Sequence, residues 1–308
     1  MSCCPISTKK TVHTGKPRWL KQRLPKGGTY EKIRRLVHKS ELCTVCQEAR
    51  CPNQFECFAK GTATFMLMGE SCTRNCRFCA VSHQGATPLD PEEPGRIAQA
   101  VGTMGLKYAV LTSVTRDDLD DGGADHFVQT IAALKRRCPE IRVEVLIPDF
   151  QGAGQPLQHL CAHPPAVINH NVETVAGLYA KVRPQAIYER SLELLQRVKQ
   201  FNPSIITKSG LMLGLGESRS ELGRTMQDIR ATGCDLLTLG QYLQPTKHNI
   251  SVSRYLPPEE FAEIGRQALE LGFKGVASGP HVRSSYQAES LYQTAVKNGF
   301  SEIAGNAI

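Results

Sequence analysis

Ala63-Thr64-Phe65-Met66-Leu67-Met68 is followed almost at once by Cys72-Thr73-Arg74-Asn75-Cys76-Arg77-Phe78-Cys79. The first stretch is a short apolar run of the kind found in strands buried on both faces. Similar runs recur at Tyr108–Ser113, Ile141–Ile147, Ala166–Asn169, Lys208–Leu213 and Asp235–Leu239. Helical spacing fills the gaps between them. Phe127, Ile131 and Leu134 fall at i, i+4 and i+7, as do Leu194, Val198 and Phe201, and Leu222, Met226 and Ile229. Phe261, Ile264, Ala268 and Leu271 form a further stripe before Gly272, and Gly233 stops the helix ahead of the sixth run. Six successive βα units imply a parallel sheet with right-handed crossovers. Six are too few for a closed eightfold barrel. The expected fold is therefore α/β, a partial (β/α)6 TIM-like barrel with an N-terminal and a short C-terminal extension. In such folds the chemistry lies at the C-terminal ends of the strands, where the cysteine run falls.

Composition narrows the class. With 41% apolar and 21% charged residues in 308, the chain reads as globular rather than disordered. No apolar run approaches the ~18 residues of a membrane span, and Met1–Lys10 lacks a signal-peptide core. The first thirty residues are basic, with Lys9, Lys10, Lys16, Arg18, Lys21, Arg23 and Lys26 and no acid before Glu31. Pro17, Pro25, Gly27, Gly28 and the shortage of arginine fit a mitochondrial transit helix poorly. The expectation is a cytoplasmic protein whose basic arm lies against the main domain, with a helix near Tyr30–His38. The chain divides into a basic tail (1–15) expected to be disordered, an extension (16–60), the barrel (61–280) and a C-terminal extension (281–308).

Twelve cysteines are many for such a chain. Where disulfides are rare, clustered cysteines bind metal or do chemistry. Cys72, Cys76 and Cys79 put three thiolates within eight residues, enough for three corners of a [4Fe–4S] cube with the fourth iron open. A zinc site paired from Cys43, Cys46, Cys76 and Cys79 is the alternative. It leaves Cys51, Cys57 and Cys72 without a role. Cys46, Cys51 and Cys57 form a second triplet, also short of a fourth local thiol. Cys138 and Cys161 read as single buried or helix-end thiols. Asp117, Asp118, Asp120 and Asp121 form an acidic run at a strand end, read as a capped βα loop rather than a magnesium site. Leu213-Gly214-Leu215-Gly216-Glu217 is, on its own, a weak glycine-rich loop.

The C-x3-C-x-aromatic-C spacing resembles the signature of the radical S-adenosylmethionine superfamily. With the second triplet and further runs, the chain resembles the lipoyl synthases. Those runs are Thr64–Glu70, Thr112–Leu119, Asp121–Gly123, Asn169–Thr174, Thr207–Gly210, Gly240–Thr246 and Arg283-Ser284-Ser285-Tyr286, within a resemblance from about Pro17 to about Leu291. It implies two [4Fe–4S] clusters per subunit. One is held by Cys72, Cys76 and Cys79 and binds S-adenosylmethionine. The other, auxiliary cluster is held by Cys46, Cys51, Cys57 and Ser285. Cys43 lies outside the family pattern, and the spacing to Cys51 favours Cys46 over it. The resemblance also implies that Phe78 lies near the adenine, and in the superfamily a segment comparable to Leu213–Glu217 approaches the adenine and ribose. Asn169, Glu173 and Arg183 are candidates for the cofactor's sugar or carboxylate.

The implied reaction inserts two sulfur atoms at carbons six and eight of a protein-bound octanoyl-lysine, after hydrogen abstraction by a 5′-deoxyadenosyl radical. No catalytic side-chain acid or base is implied, because no such group breaks an unactivated C–H bond. The implied partners are octanoylated lipoyl domains of 2-oxo acid dehydrogenases, the glycine-cleavage H protein, an electron donor such as flavodoxin or ferredoxin, and an iron–sulfur carrier that repairs the spent cluster. No nucleic acid and no membrane are expected. Two rivals stand: a biotin-synthase-like sulfur inserter, and a zinc-folded nucleic-acid binder using the net charge of +8.

Overall fold

A computed structural model describes residues 16–20, 29–51, 53–59 and 63–305. The tail 1–15, with Cys3 and Cys4, and the arm residues Lys21, Arg23 and Lys26 lie outside the described residues. Helix α1 (Thr29–Lys39) buries Ile33 and Val37, one turn apart on one face. Strand β1 (Cys43–Thr44) and short helices α2 (Val45–Glu48) and α3 (Gln54–Ala59) follow. Tyr30 holds α1 to α3 by ring contacts with Phe55 and Phe58.

The sheet has eight strands in sequence order. β1 pairs antiparallel with β2 (Thr64–Leu67), placing Cys43 opposite Met66. From β2 onward every pairing is parallel, through β3 (Tyr108–Ser113), β4 (Arg142–Leu146), β5 (Val167–Asn169), β6 (Ile206–Leu213), β7 (Leu236–Gln241) and β8 (Gly275–Gly279). The six crossovers carry α4 (Glu93–Met104), α5 (Ala124–Arg137), α6 (Gly154–Ala162), α7 (Tyr179–Val182) with α8 (Tyr188–Phe201), α9 (Arg219–Ala231) and α10 (Pro258–Glu270). The open, barrel-like α/β architecture matches the expectation, with one more parallel strand than the six runs predict. β8, Gly-Val-Ala-Ser-Gly, has little β propensity. Its small residues are a packing requirement, since a Cβ on Gly275 would stand 2.9 Å from the Leu236 side chain.

Every residue of β2 and of β7 is buried, as a sheet covered on both faces demands. The expected stripes face inward at Phe127, Ile131 and Leu134, and at Leu222, Met226 and Ile229. One stripe residue does not: Phe201 ends α8 and is 40% exposed. The final helix, α11 (Ala288–Gly305), sets Tyr292 against Tyr108 at the start of β3 and Leu291 against Leu236. Beside Tyr108 lies a buried ion pair. Lys208 Nζ donates to Glu144 Oε1 at 2.8 Å, and the Tyr108 hydroxyl donates to Glu144 Oε2 at 2.7 Å. Among the described residues no helix is long and apolar enough to cross a membrane.

Candidate functional site

The chain leaves β2 through Met68 and Gly69, both at positive φ. Glu93, buried at the start of α4, accepts from Met68 N at 3.0 Å and lies 2.6 Å from His126 Nε2, which fixes this exit. The cysteine loop then crosses the C-terminal ends of the strands. Cys72 Sγ accepts from Thr115 N just beyond β3, and Thr73 bonds Thr115 through both its backbone and its hydroxyl. Arg77 N donates to Val182 O, and Asn249 Nδ2 donates to the carbonyls of Arg77 and Cys79. Beneath the loop Arg74 is 5% exposed. Its guanidinium reaches Asp117 at 2.6 and 2.9 Å and Asp149 at 2.6 Å, spanning the ends of β3 and β4.

That clamp accounts for part of the acidic run. Asp117 takes Arg74, Asp118 takes Arg116, and Asp121 accepts from Gly123 N and Asp125 N at the start of α5. The run is the capped βα loop that was expected. The glycine-rich loop is likewise engaged internally, since Glu217 accepts from the backbone N–H groups of Gly214, Leu215 and Gly216.

Cys72, Cys76 and Cys79 are all half-buried. Burial pushes the Cys79 thiol up to about 12. Burial also raises Cys76, while the adjacent Arg183 pulls it down. Arg183 donates to the carbonyls of Asn171 and Val172 and to the Tyr179 hydroxyl, yet its Nε has no partner. Asn169, 1% exposed at the end of β5, has neither amide atom bonded, and Asn171 Oδ1 is unpaired as well. Glu173 accepts from Asn171 Nδ2 at 3.0 Å and holds a positive φ of 71°. Burial raises its carboxyl against the pull of Arg183.

A cavity of about 330 Å³ opens above these strand ends. Cys46, Cys51, Cys57 and Ser285 are among its lining residues, as are Phe78, Cys79 and Glu173. Apolar side chains such as Leu146, Leu211, Met212 and Leu243 contribute to its walls. Cys72, Cys76, Asn169 and Arg183 are not in its lining. Cys46 is buried on α2, and its thiol is pushed up to about 12 by burial, with Cys51 and Cys57 close enough to raise it further. Cys43 does not reach the cavity; its Sγ lies 3.5 Å from Glu70 Oε1. Among the described residues, no three His, Cys, Asp or Glu side chains close on one point as ligands of a single ion would. The sequence reading missed Arg74, Asp149 and Asn249 as supports of the cysteine loop. Arg74 alone carried a signal, by standing inside the motif.

Similarity to known proteins bears directly on this arrangement. Residues 66–229 match the model of the radical SAM superfamily, and residues 5–51 match that of the N-terminal domain of lipoyl synthase. The chain is 54% identical over 292 residues to a lipoyl synthase of Desulfotalea psychrophila, covering 95% of this chain and 98% of that one. It is 53% identical over 287 residues to a lipoyl synthase of Nitrosococcus oceani, covering 92% and 89%. Among solved structures it resembles HydG, a maturase of the [FeFe]-hydrogenase, at 16% identity and a TM-score of 0.56 over 86% of this chain and 70% of that one. It also resembles methylornithine synthase at 14% identity and a TM-score of 0.53, over 75% and 68%. These two likenesses speak to the fold alone. Identity above half across nearly the whole length sets aside both the nucleic-acid binder and the biotin-synthase-like reading. The cysteine loop on a parallel sheet, the second triplet in the N-terminal extension and the matched relatives converge: the chain belongs to the lipoyl synthase family of the radical SAM superfamily.

Proposed function

We propose that the chain is a sulfur-inserting enzyme acting on octanoyl-lysine of lipoyl domains and the glycine-cleavage H protein, adding sulfur at carbons six and eight. The observation that carries this reading is the shared cavity: Cys46, Cys51, Cys57 and Ser285 face the same space as Phe78 and Cys79. A substrate that must meet two centres in turn needs both to open onto one chamber.

The donor chemistry fits two iron–sulfur clusters. Cys72, Cys76 and Cys79 offer three soft thiols, leaving one iron for S-adenosylmethionine. Cys46, Cys51 and Cys57 offer three more, with the Ser285 hydroxyl as a harder fourth. Burial raises the thiols of Cys46, Cys76 and Cys79, so binding of metal and release of their protons are coupled. The unpaired atoms of Asn169, Asn171 and Arg183 fit the polar ends of S-adenosylmethionine, and Glu173 fits its positive charge. Phe78 packs with Tyr242, Leu215 and Val182 and offers a ring face to the adenine. Together the bound groups would supply the reducing electron, the hydrogen-abstracting radical and the sulfur.

The protein's own part is positioning and exclusion of water. Leu146, Leu211, Met212 and Leu243 favour an extended alkyl chain in the cavity. Holding the reacting carbons close to both centres replaces random encounter by fixed geometry, and a dry wall spares a reactive radical. An electron donor of the flavodoxin or ferredoxin kind and an iron–sulfur carrier complete the cycle in this reading. The test is mass spectrometry of an octanoylated carrier peptide after anaerobic incubation with the reconstituted protein, S-adenosylmethionine and reductant. The expected product, a dithiol under these reducing conditions, gains two sulfur atoms with no net change in hydrogen; an unchanged peptide alongside 5′-deoxyadenosine formation overturns the substrate assignment.

A further inference from the structure

Ser285 lies 228 residues beyond Cys57, so whatever brings it to the cysteine triplet must act across the chain. Contacts between the described residues of the N-terminal extension and the 281–286 segment do so. Asn53, 1% exposed between Cys51 and Cys57, donates from Nδ2 to the His281 carbonyl at 2.6 Å. The Tyr286 hydroxyl donates to Glu56 Oε1 on α3 at 3.1 Å. His281 Nε2 in turn lies 3.0 Å from the Trp19 carbonyl. On the opposite side the segment presses against β7. A Cβ on Gly240 would stand 2.1 Å from the Val282 carbonyl oxygen and 3.4 Å from the Arg283 guanidinium. Backbone cannot yield as the tip of a side chain can. Two backbone bonds, Val282 N to Gly279 O and Tyr286 N to Arg283 O, fold the segment between these walls.

We propose that residues 281–286 form a strap clamped between β7 and the cysteine arm, and that Asn53, Tyr286 and Gly240 are positioning residues that set Ser285 toward the auxiliary centre. This rests on the reading of Ser285 as the fourth ligand. A lone hydroxyl is a weak partner for iron, and its hold depends on delivery at the right place without an ordering cost at each encounter. Groups that orient a ligand without touching the metal typically matter by about 10–100-fold in affinity.

The test uses the full-length chain with Cys72, Cys76 and Cys79 replaced by alanine, so that only the auxiliary centre takes up iron. After anaerobic reconstitution, iron loss to a chelator is timed and the Mössbauer spectrum is recorded. Tyr286→Phe and Asn53→Ala are expected to speed iron loss about tenfold and to broaden the signal of the oxygen-ligated iron. Gly240→Ala should do the same from the other wall. Glu56→Gln, which keeps an acceptor for Tyr286, should match the parent. If Tyr286→Phe does not fold, Glu56→Leu removes the same bond from the other side. Parental loss rates in the strap variants, with Ser285→Ala fast, overturn the strap and leave the ligand standing. Parental loss in Ser285→Ala, with the strap variants fast, overturns the ligand reading while supporting the strap as a holder of the cysteine arm.

Discussion

His170 is 2% exposed, with Nδ1 2.8 Å from the Ile147 carbonyl and Nε2 3.1 Å from Ser191 Oγ. Burial, reinforced by the positive charge of Arg183, lowers its pKa to about 4. The unfolded chain takes up a proton near pH 6.5, whereas the folded one does not until about 4. The stabilisation from keeping this ring neutral is complete above pH 6.5 and is lost as pH falls toward 4. Between pH 7 and 5 the wild-type apo chain should lose about 2 kcal/mol more than His170→Gln. Urea unfolding at both values checks this; equal pH slopes would refute it. Arg74 gives a second forecast. Removing its guanidinium strands Asp149, whose side chain is fully buried with Arg190 3.6 Å away as its remaining ion-pair partner. Arg74→Gln should cost about 3 kcal/mol, and Arg74→Gln combined with Asp149→Asn should cost less than Arg74→Gln alone. Had the double variant proved the worse, the buried charge would not be the cause.

At the scale of elements, the runs that read as strands are those buried on both faces, because burial demands apolar β-formers that periodicity can register. β8 escaped for the opposite reason: α10 and α11 press on it too closely for large side chains. Gly265 of α10 is the other half of that contact, where a Cβ would stand 2.9 Å from Ser278 Cβ. Two effects compete in Gly265→Ala. Helix propensity gains about 1 kcal/mol, while overfilling a tight helix–strand contact costs about 1–3 kcal/mol. The clash involves a Cβ fixed to the strand rather than a flexible tip, so packing should win. Gly265→Ala is expected to lower stability by about 1 kcal/mol, read from the denaturation midpoint. A rise would mean that α10 can shift away from β8. Phe201 marks the reverse error. Spacing placed it on the buried stripe, but it ends its helix, where a side chain can turn outward.

Across the whole molecule, the local cysteine motifs were legible because three thiols within a dozen residues leave a spacing. The supports were not. Asn53 with His281 and Glu56 with Tyr286 are pairs about 230 residues apart, and nothing in either neighbourhood names the other. The same separation predicts how the two proposed centres would divide the work. Cys46 sits on α2, Cys57 on α3 and Cys51 between them, while Cys72, Cys76 and Cys79 belong to the loop after β2. The second set is held by Thr115, Val182 and Asn249, none of which lies in the cysteine arm. Loss of a thiol from the arm should therefore leave the other centre in place. Cys46→Ala, Cys51→Ala and Cys57→Ala should each abolish sulfur insertion yet retain cleavage of S-adenosylmethionine to 5′-deoxyadenosine. A fully loaded chain should hold about eight iron and eight sulfide, and the triple variant of either set about four. Loss of 5′-deoxyadenosine in an arm variant that still carries four iron would show that radical generation needs the arm. In that case the two centres would act as one unit across the cavity rather than in sequence.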